Sequence, residues 1–429
     1  MLAKLENHSA RIGIVGLGYV GLPLAMEFCR KGFRVTGFEV NPARARDLSR
    51  GRSYVEDVPS RELSRWIRKG RFAAFSGFDE ISRQDVLIVC VQTPLRKTKE
   101  PDLSNVIAAV RQIAGRLKRG QLVVLESTTY PGVTDEVILP ILEGSGLRLG
   151  KDFFLAFSPE RVDPGNPTWT IANTPKVVGG SDEASLRRAR ALYSCIVNRV
   201  VPVSSTRVAE TVKLLENTFR SVNIALANEM AQLCHPLGLD VWEIIEAAST
   251  KPFGFMPFRP GPGIGGHCIP KDPRLLSWKA KTLHLKPRFI ELASTVNSAM
   301  PHYAARRIAE ALKTQRRSLR RSRILVLGVA YKPGVADCRE SPSVDVMALL
   351  VRAGARVSFH DPFVASVEIN GRHLDCTPLT GHALKGADCV AILTAHHALD
   401  YARVVRLSRL VFDARHATRG LSSSKIVRL

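Results

Sequence analysis

The chain has 429 residues, of which 45% are hydrophobic and 24% charged, a composition typical of a globular protein with two or three domains. This composition excludes a disordered tail, a fibre and a low-complexity array. No run reaches the ~18 consecutive apolar residues that a membrane helix needs, and the first ten residues lack the apolar core of a signal peptide. We therefore expect a cytoplasmic protein with no membrane partner.

The charge is strongly positive, because 62 basic residues against 39 acidic ones give a net charge of +23. Such a surplus suggests a polyanionic partner, either nucleic acid or a phosphate-bearing small molecule. The arginine-rich stretches 44–71 and 313–323 lack the interleaved aromatic residues of a single-strand binding surface. We interpret both as solvated surface and expect no nucleic-acid partner.

The eight cysteines are scattered singly, and no C-x-x-C pair occurs. This spacing argues against a zinc site, and a disulfide framework is unusual in a chain of this length without a secretion signal. We expect no metal.

The first motif that carries chemistry lies near the N-terminus. An apolar run at 11–15 is followed by Gly16, Gly18 and Gly21 in G-x-G-x-x-G spacing, by an apolar helix and by a second strand that ends at Glu39. The glycines allow backbone N–H groups to approach a pyrophosphate at a helix N-terminus. A carboxylate about 20 residues further on binds the adenosine ribose diol and repels a 2′-phosphate. The pattern predicts an NAD site rather than an NADP site.

Two further apolar runs extend this pattern. The runs at 85–91 and 122–125 are predicted to be buried strands, and the segments that follow them carry Thr93 and Glu126-Ser127-Thr128. Residues beyond the carboxyl ends of parallel strands face the ligand crevice of a doubly wound sheet. We predict a dinucleotide-binding domain over residues 1–200.

The C-terminal third repeats the scheme without its glycine fingerprint. Four runs resemble the strands of the first domain: 323–328, 356–361, 389–394 and 410–413. The turn after the first of them offers Lys332 and Arg339, which suit a phosphate ligand other than a second NAD. We predict an α/β chain with two Rossmann-like doubly wound domains, the second over residues 313–429.

A helical segment is predicted between them, as a middle domain over residues 201–312. Residues 205–248 carry apolar residues at helical spacing, and this long central helix is expected to join the domains and is a candidate for a subunit interface. Lys213 and Asn217 share one face of the helix. Spacing alone favours a solvated lysine beside a surface amide.

The segment 258–273, FRPGPGIGGHCIPKDP, contains four glycines and four prolines and is predicted to be a loop. It carries Cys268, with Lys271 and Asp272 close behind. A neighbouring cation favours a thiolate, and a positioned thiol beside NAD suggests covalent capture of an aldehyde. From residue types alone, a buried structural cysteine in a tight turn is an equal alternative.

With these motifs in view, the sequence resembles the UDP-glucose/GDP-mannose dehydrogenase family of nucleotide-sugar 6-dehydrogenases over nearly its whole length. The blocks that carry the resemblance are GIVGLGYVGLPLA from Gly13, ESTTYPG from Glu126, SPERVDPGN from Ser158, KLLENTFRSVNIALANE from Lys213, GIGGHCIPKDP from Gly263 and YKPGVADCRESP from Tyr331. The resemblance implies an oxidoreductase that converts a sugar C6 alcohol to a carboxylate with two NAD and an enzyme thioester.

The resemblance also implies roles for individual residues. Cys268 matches the nucleophile. Lys213 and Asp272 match the pair that holds a water, stabilises oxyanions and assists proton removal, and Asn217 matches a positioning amide. Glu160 matches the base in thioester hydrolysis, and Thr128 matches a second water-positioning group. The residues that match cofactor-binding positions are Gly16, Gly18, Tyr19, Val20, Gly21, Glu39, Arg44, Thr93, Thr128 and Arg339. Those that match UDP-sugar-binding positions are Glu160, Arg161, Lys213, Asn217, Arg259, Gly265, Tyr331, Lys332 and Arg415, with Arg259 a candidate to act in a neighbouring subunit of a homodimer or higher homo-oligomer.

The loop before Cys268 and the segment 158–166 are most similar to the branch that acts on 2-acetamido sugars. The resemblance implies oxidation of UDP-N-acetylglucosamine to UDP-N-acetylglucosaminuronate for surface polysaccharide biosynthesis, with UDP-N-acetylmannosamine, UDP-N-acetylgalactosamine and UDP-glucose as alternatives. Gln92 stands where the family commonly has proline. An inactive NAD- and nucleotide-sensing scaffold is the alternative from a different class.

Overall fold

A computed structural model describes residues 1–96, 98–163, 166, 168–266 and 268–429 of the chain. These residues form two compact units. Unit 1 comprises residues 1–216 and 274–285, and unit 2 comprises residues 217–273 and 286–429.

Unit 1 is built on an eight-stranded sheet. Its strands are β1 (Arg11–Val15), β2 (Arg34–Phe38), β3 (Phe72–Phe75), β4 (Val86–Val89), β5 (Leu122–Leu125), β6 (Phe154–Phe157), β7 (Lys176–Gly180) and β8 (Val200–Val203). The strand order is β3-β2-β1-β4-β5-β6-β7-β8. All neighbours pair in parallel except β6 and β7, which are antiparallel. The first six strands reproduce the order of a dinucleotide-binding sheet, with a switch point between β1 and β4.

Helices cover both faces of this sheet. They are α1 (Leu2–Glu6), α2 (Gly21–Arg30), α3 (Pro42–Ser49), α4 (Ser60–Arg68), α5 (Ser104–Ala114), α6 (Leu139–Glu143) and α7 (Glu183–Ser194), with a short 3₁₀ turn at Asp79–Arg83 and a π-helical turn at Thr134–Ile138. Successive strand residues point to opposite faces. Ile12 and Ile14 of β1 accordingly enter one hydrophobic cluster and Val15 another. The continuous apolar runs of the sequence are strands buried on both faces, as predicted.

The helices that follow lie mainly in the second half of the chain. They are α8 (Thr206–Cys234), α9 (Val241–Ala248), α10 (Asp272–Thr282), α11 (Arg288–Thr314), α12 (Pro342–Arg352), α13 (Gly381–Gly386) and α14 (Tyr401–Leu407). The long helix that we predicted over 205–248 is two helices, because α8 ends shortly before Pro236, which cannot continue a helical hydrogen-bond ladder. Within the described ranges, none of these helices is long and apolar enough to cross a membrane.

Unit 2 contains a five-stranded parallel sheet. Its strands are β9 (Arg323–Leu327), β10 (Arg356–His360), β13 (Cys389–Ile392), β14 (Val411–Asp413) and β15 (Ile426–Arg428), in the order β10-β9-β13-β14-β15, and β11 (Ser366–Ile369) and β12 (Arg372–Asp375) form a separate hairpin. This sheet also has a switch point, between β9 and β13. The prediction of two doubly wound sheets is confirmed.

Candidate active site

The predicted site residues fall into both units. The glycine turn lies in unit 1, between β1 and α2. Gly16 has φ +93°, and a side chain there would lie 2.8 Å from the carbonyl oxygen of Cys90. A Cβ at Gly21 would lie 1.9 Å from the Gly16 carbonyl oxygen, so the turn can close only without side chains at both positions. A Cβ at Gly18 would meet no other atom within 4 Å, which leaves open space in front of the N-terminus of α2. Tyr19 and Val20 complete this turn, with Tyr19 exposed.

Glu39 follows β2 and lies next to the same turn. Its carboxylate accepts hydrogen bonds from the backbone N–H groups of Asn41 at 3.0 Å and Leu17 at 3.4 Å. The Tyr54 hydroxyl donates to the Leu17 carbonyl at 2.9 Å and lies 3.4 Å from Glu39 Oε2. The guanidinium of Arg44 stacks over the Tyr54 ring, 5.0 Å from its centroid. Tyr54, which no sequence motif marks, therefore links the two residues predicted to bind the adenosine ribose.

Thr93 and Thr128 follow β4 and β5, neighbouring strands of the same sheet. The Thr93 hydroxyl donates to the Thr128 carbonyl oxygen at 2.7 Å, and the Ser127 hydroxyl donates to the Val91 carbonyl oxygen at 2.7 Å. These bonds connect the segments that follow β4 and β5 at the carboxyl ends of the strands. The two threonines are adjacent, as strand-end positions predict.

Glu160 follows β6 in unit 1. Its Oε1 accepts hydrogen bonds from the backbone N–H groups of Arg161 at 2.8 Å and Val162 at 2.7 Å, and its Oε2 lies 3.1 Å from the ammonium of Lys176. Burial alone would raise the pKa of Glu160, but the ammonium of Lys176, the Val162 N–H and the charge of Lys213 together lower it below its usual value. Glu160 is therefore a carboxylate at neutral pH.

Arg161 connects the two ends of the segment between β6 and β7. Its guanidinium donates to the Pro175 carbonyl oxygen at 2.7 Å and pairs with Glu216 at 2.6 Å. Of the segment 158–166, Pro164 and Gly165 lie outside the described residues.

Cys268 lies in unit 2, in an irregular loop that ends where α10 begins at Asp272. The cysteine is exposed, and its carbonyl oxygen accepts hydrogen bonds from the backbone N–H groups of Lys271 at 3.1 Å and Asp272 at 2.8 Å. The preceding residue of this loop, His267, lies outside the described residues. The exposed position excludes the alternative of a buried structural cysteine.

Asp272 is fully buried and is held by the central helix. Its Oδ2 accepts a hydrogen bond from Asn217 Nδ2 at 2.6 Å, and its Oδ1 lies 3.9 Å from the ammonium of Lys271. Asn217 is buried as well. The interpretation of Asn217 as a surface amide is therefore wrong, whereas its interpretation as a positioning group agrees with this contact.

A cavity of about 260 Å³ lies at the switch point of the sheet of unit 2. Its lining includes four residues that the resemblance selected, Arg259, Tyr331, Lys332 and Arg415, and five others, Trp242, Pro260, Pro333, Thr394 and Ala395. Three cationic side chains and two aromatic rings suit a ligand with phosphates and a flat base. Strand-end position could have found Thr394 and Ala395, which follow β13, but no signal in the sequence marks Trp242.

The cationic wall of this cavity is tightly packed. Arg415 donates through Nε to the Leu393 carbonyl oxygen at 2.9 Å, and a Cβ at Gly261 would lie 2.3 Å from its Nη1. Burial lowers the pKa of Arg415 to about 10, so the side chain keeps its charge at neutral pH. Gly265 also requires the absence of a side chain, because a Cβ would lie 2.8 Å from the Cβ of Tyr331.

Arg339 stands apart from this cavity lining. Its guanidinium forms two hydrogen bonds with Asp337, at 2.8 and 3.0 Å. The expected contact of Arg339 with the cofactor stays a prediction.

The residues of unit 1 fit NAD. The open face at Gly18 and the close approach at Gly21 form the backbone cradle that a pyrophosphate needs, and the buried Glu39 carboxylate suits a ribose diol. Among the described residues, no group of three or more His, Cys, Asp or Glu side chains could hold a metal ion.

Three family models match the chain. They are the NAD binding domain of the UDP-glucose/GDP-mannose dehydrogenase family over residues 10–197, its central domain over 207–299 and its UDP binding domain over 325–420. The predicted NAD cofactor is thus confirmed.

Named relatives cover most of the chain. A UDP-N-acetyl-D-mannosamine dehydrogenase of Pyrococcus horikoshii is 37% identical over 90% of this chain and 89% of its own length. A UDP-N-acetyl-D-glucosamine 6-dehydrogenase of Pseudomonas aeruginosa is 36% identical over 90% of both chains. A solved structure of the UDP-D-ManNAc dehydrogenase from Pyrococcus horikoshii superposes with a TM-score of 0.88 at 34% identity, covering 97% of this chain and 98% of that one. The chain belongs to the UDP-glucose/GDP-mannose dehydrogenase family of NAD-dependent oxidoreductases.

Proposed function

We propose that the protein oxidises the C6 hydroxyl of a UDP-sugar to a carboxylate, in two oxidations joined by a covalent bond to Cys268. One observation carries this proposal: the loop 258–273 exposes the thiol of Cys268 and, through Arg259 and Pro260, also lines the cationic cavity of unit 2. A nucleotide held in that cavity and a nucleophile presented by the same loop are what the reaction requires.

NAD, when bound, supplies the acceptor for one hydride in each oxidation. We assign its binding to Gly16, Gly18, Tyr19, Val20, Gly21, Glu39, Arg44, Thr93, Thr128 and Arg339. Glu39 suits the adenosine ribose, and the glycine turn suits the pyrophosphate. The remaining steps move protons and form bonds to sulfur, and they fall to side chains of this chain.

Lys213 and Asp272 assist removal of the C6 hydroxyl proton through a held water. The Cys268 thiol then adds to the aldehyde, so that a C–S bond forms and the aldehyde oxygen takes up a proton. The second oxidation leaves a thioester. Water attacks its carbonyl carbon, the C–S bond breaks with the electron pair on sulfur, and the carboxylate is released. Because the aldehyde is captured on sulfur, we expect that no free aldehyde leaves the enzyme.

The remaining assignments concern positioning and binding. The 2.6 Å bond from Asn217 to Asp272 supports a positioning role for Asn217. We assign Glu160 and Thr128 to the hydrolytic water, and the UDP-sugar to Glu160, Arg161, Lys213, Asn217, Arg259, Gly265, Tyr331, Lys332 and Arg415. The cavity lining supports four members of this set.

We further propose a division into an NAD domain over 1–200, a helical domain over 201–312 and a UDP-sugar domain over 313–429, and a homo-oligomeric enzyme. The exposed apolar side chains of α8, including Leu215, Leu226 and Leu233, support a subunit interface on this helix.

The proposed substrate is a UDP-2-acetamido sugar, with UDP-N-acetylglucosamine first. UDP-N-acetylmannosamine is the second candidate, because relatives named for each sugar match at 36% and 37% identity. NADH formation at 340 nm with these two sugars, UDP-N-acetylgalactosamine and UDP-glucose tests the proposal. We expect two NADH per sugar consumed and the highest kcat/KM with UDP-N-acetylglucosamine. A preference for UDP-glucose would contradict the substrate class, and no turnover with any UDP-sugar would contradict the reaction.

A further inference from the structure

A group of buried charges lies behind Glu160 in unit 1. The Lys176 ammonium lies 3.1 Å from Glu126 Oε2 and 3.1 Å from Glu160 Oε2, and the Tyr193 hydroxyl donates to Glu126 Oε1. Lys176 is 4% exposed and Glu126 is 2% exposed. Burying a lysine costs several kcal/mol unless its partners compensate. The fold therefore holds this cation at a fixed place between two carboxylates.

The three donors to Glu160 fix the direction of its side chain. Two backbone N–H groups occupy Oε1, and the Lys176 ammonium occupies one position of Oε2. A carboxylate oxygen has two lone-pair directions, so Oε2 keeps one for a further donor. Among the described contacts, Lys176 is the side chain that holds Glu160 Oε2, and it therefore determines the direction of the second lone pair of that oxygen.

We propose that Lys176 is a positioning residue, which holds Glu160 ionised and oriented toward the water that hydrolyses the thioester, and that Glu126 with Tyr193 holds Lys176 in place. This inference rests on the function proposed above. It assigns a role to Lys176, Glu126 and Tyr193, to which neither the motifs nor the resemblance assigned one.

In the step concerned, the water oxygen forms a bond to the thioester carbon while one water proton moves to Glu160 Oε2. Collapse of the adduct breaks the C–S bond, and the electron pair stays on Cys268 Sγ. The second water proton passes to solvent, and Glu160 then releases the proton that it took from the water. Neither oxidant nor reductant is consumed in this step.

The charges around Glu160 favour its ionised form. Lys176 contributes from β7 and Lys213 from α8. Burial raises the pKa of Glu126, which follows β5, and the repulsion between the carboxylates of Glu160 and Glu126 raises it further. Burial also raises the pKa of the Cys90 thiol, so this neighbour after β4 stays neutral. As the pH falls, Glu126 takes up a proton before Glu160 does, and the hydrolytic carboxylate keeps its charge.

The first test replaces Lys176 with methionine, which keeps the length of the side chain without its charge. We expect Lys176→Met to retain formation of the first two NADH per subunit and to slow the following turnover by about a hundredfold, the size of a positioned-base effect. The acyl enzyme should then accumulate on Cys268, as measured by acid quench and intact-protein mass spectrometry. Rapid turnover with no adduct would overturn the proposal.

The double variant Lys176→Met/Glu126→Gln separates positioning from folding. It removes one positive and one negative charge, so no unpaired carboxylate is left behind Glu160. We expect a melting temperature near that of the wild type together with the same slow hydrolysis. Hydrolysis at the wild-type rate would show that Lys176 only neutralises Glu126. Tyr193→Phe removes one hydroxyl and leaves every charge in place, and it should slow hydrolysis several-fold without changing the first two NADH.

A pH profile supplies a readout that a purely structural role leaves unchanged. Loss of Lys176 raises the pKa of Glu160, and hydrolysis needs the carboxylate, so the acid limb of the hydrolysis rate should move to higher pH in both methionine variants. Lys4→Met, which removes the exposed pair of Lys4 and Asp85 at 2.7 Å, is the matched control and should keep the wild-type profile. An unmoved acid limb would overturn the proposal, whereas a wild type that does not form two NADH per sugar would refute the function itself.

Discussion

At the scale of single residues, the proposed chemistry depends on Cys268, which the loop exposes. We expect Cys268→Ser to lose carboxylate formation by about a thousandfold or more, since the hydroxyl is a weak nucleophile in place of the thiol. The dissociation constants for NAD and the UDP-sugar should change little. Product analysis and isothermal titration calorimetry measure the two effects.

The matched control is Cys195→Ser. Cys195 is half-buried, and its thiol lies 3.3 Å from the Ala191 carbonyl oxygen, to which a serine hydroxyl can donate equally well. The control should keep both oxidations. Two-NADH turnover by Cys268→Ser would show that the nucleophile lies elsewhere or that the aldehyde is oxidised as its hydrate.

Glu39 is expected to decide the choice of cofactor. Its buried carboxylate already accepts two backbone N–H groups, so it is fixed where a 2′-phosphate would bring a second negative charge close to it. The kcat/KM with NAD should exceed that with NADP by at least about tenfold. Glu39→Gln keeps the shape of the side chain and should lower the ratio of kcat/KM with NAD to kcat/KM with NADP. Equal kcat/KM for the two cofactors in the wild type would contradict this role.

At the scale of elements, α8 anchors the loop 258–273 at both ends. Asn217 donates to Asp272 at 2.6 Å, and the side-chain Oδ1 of Asn228 accepts from the backbone N–H of Gly261 at 2.9 Å. The two asparagines are 11 residues apart, about three helical turns, and so share one face of the helix. Asn228 is itself held by Asn297 on α11, at 2.9 Å.

Loss of the second anchor should loosen the loop. Asn228→Ala leaves the Gly261 N–H and the Oδ1 of Asn297 without these hydrogen bonds, at a cost of about 1–3 kcal/mol for each buried group. We expect a lower melting temperature and a raised KM for the UDP-sugar, because the residues next to Gly261 line the cavity. Asn223→Ala removes an exposed amide bonded to Phe219 of the same helix and serves as the control. An unchanged KM in Asn228→Ala would contradict the anchoring role.

The elements of both sheets were predictable because each strand is a short apolar run followed by a turn. The strand at 11–15 has the predicted bounds, the second strand ends one residue before the predicted Glu39, and the run at 85–91 is longer than the strand Val86–Val89. Lys176 was not predictable in the same way. It begins its strand, and the rule that site residues follow strands fails for β7, which runs antiparallel to β6. Tyr54 and Trp242 act through contacts distant in sequence, which spacing does not encode.

At the scale of the whole molecule, the net charge of +23 raises the question of whether the protein binds nucleic acid. Three of the cations line the cavity of unit 2, and the described helices α3 and α4 carry more than half of the first arginine-rich stretch, with most of their arginines exposed. We expect no binding to duplex DNA at physiological salt tighter than the ~10⁻⁶ M of non-specific contacts. Fluorescence anisotropy with a labelled duplex tests this, and nanomolar binding would contradict it.

The antiparallel step from β6 to β7 makes the segment between them replaceable. Because β6 ends and β7 begins at the same edge of the sheet, the chain from 158 to 175 leaves and returns at one place, and Arg161 ties its two ends through the Pro175 carbonyl oxygen. Loop-closure entropy grows slowly with length, so such an insert can be lengthened, shortened or exchanged at small cost to the sheet. Evolution and protein engineering can therefore exchange the part of this segment that follows Val162 between relatives, while Glu160, which we propose for hydrolysis, keeps the backbone N–H groups that hold it.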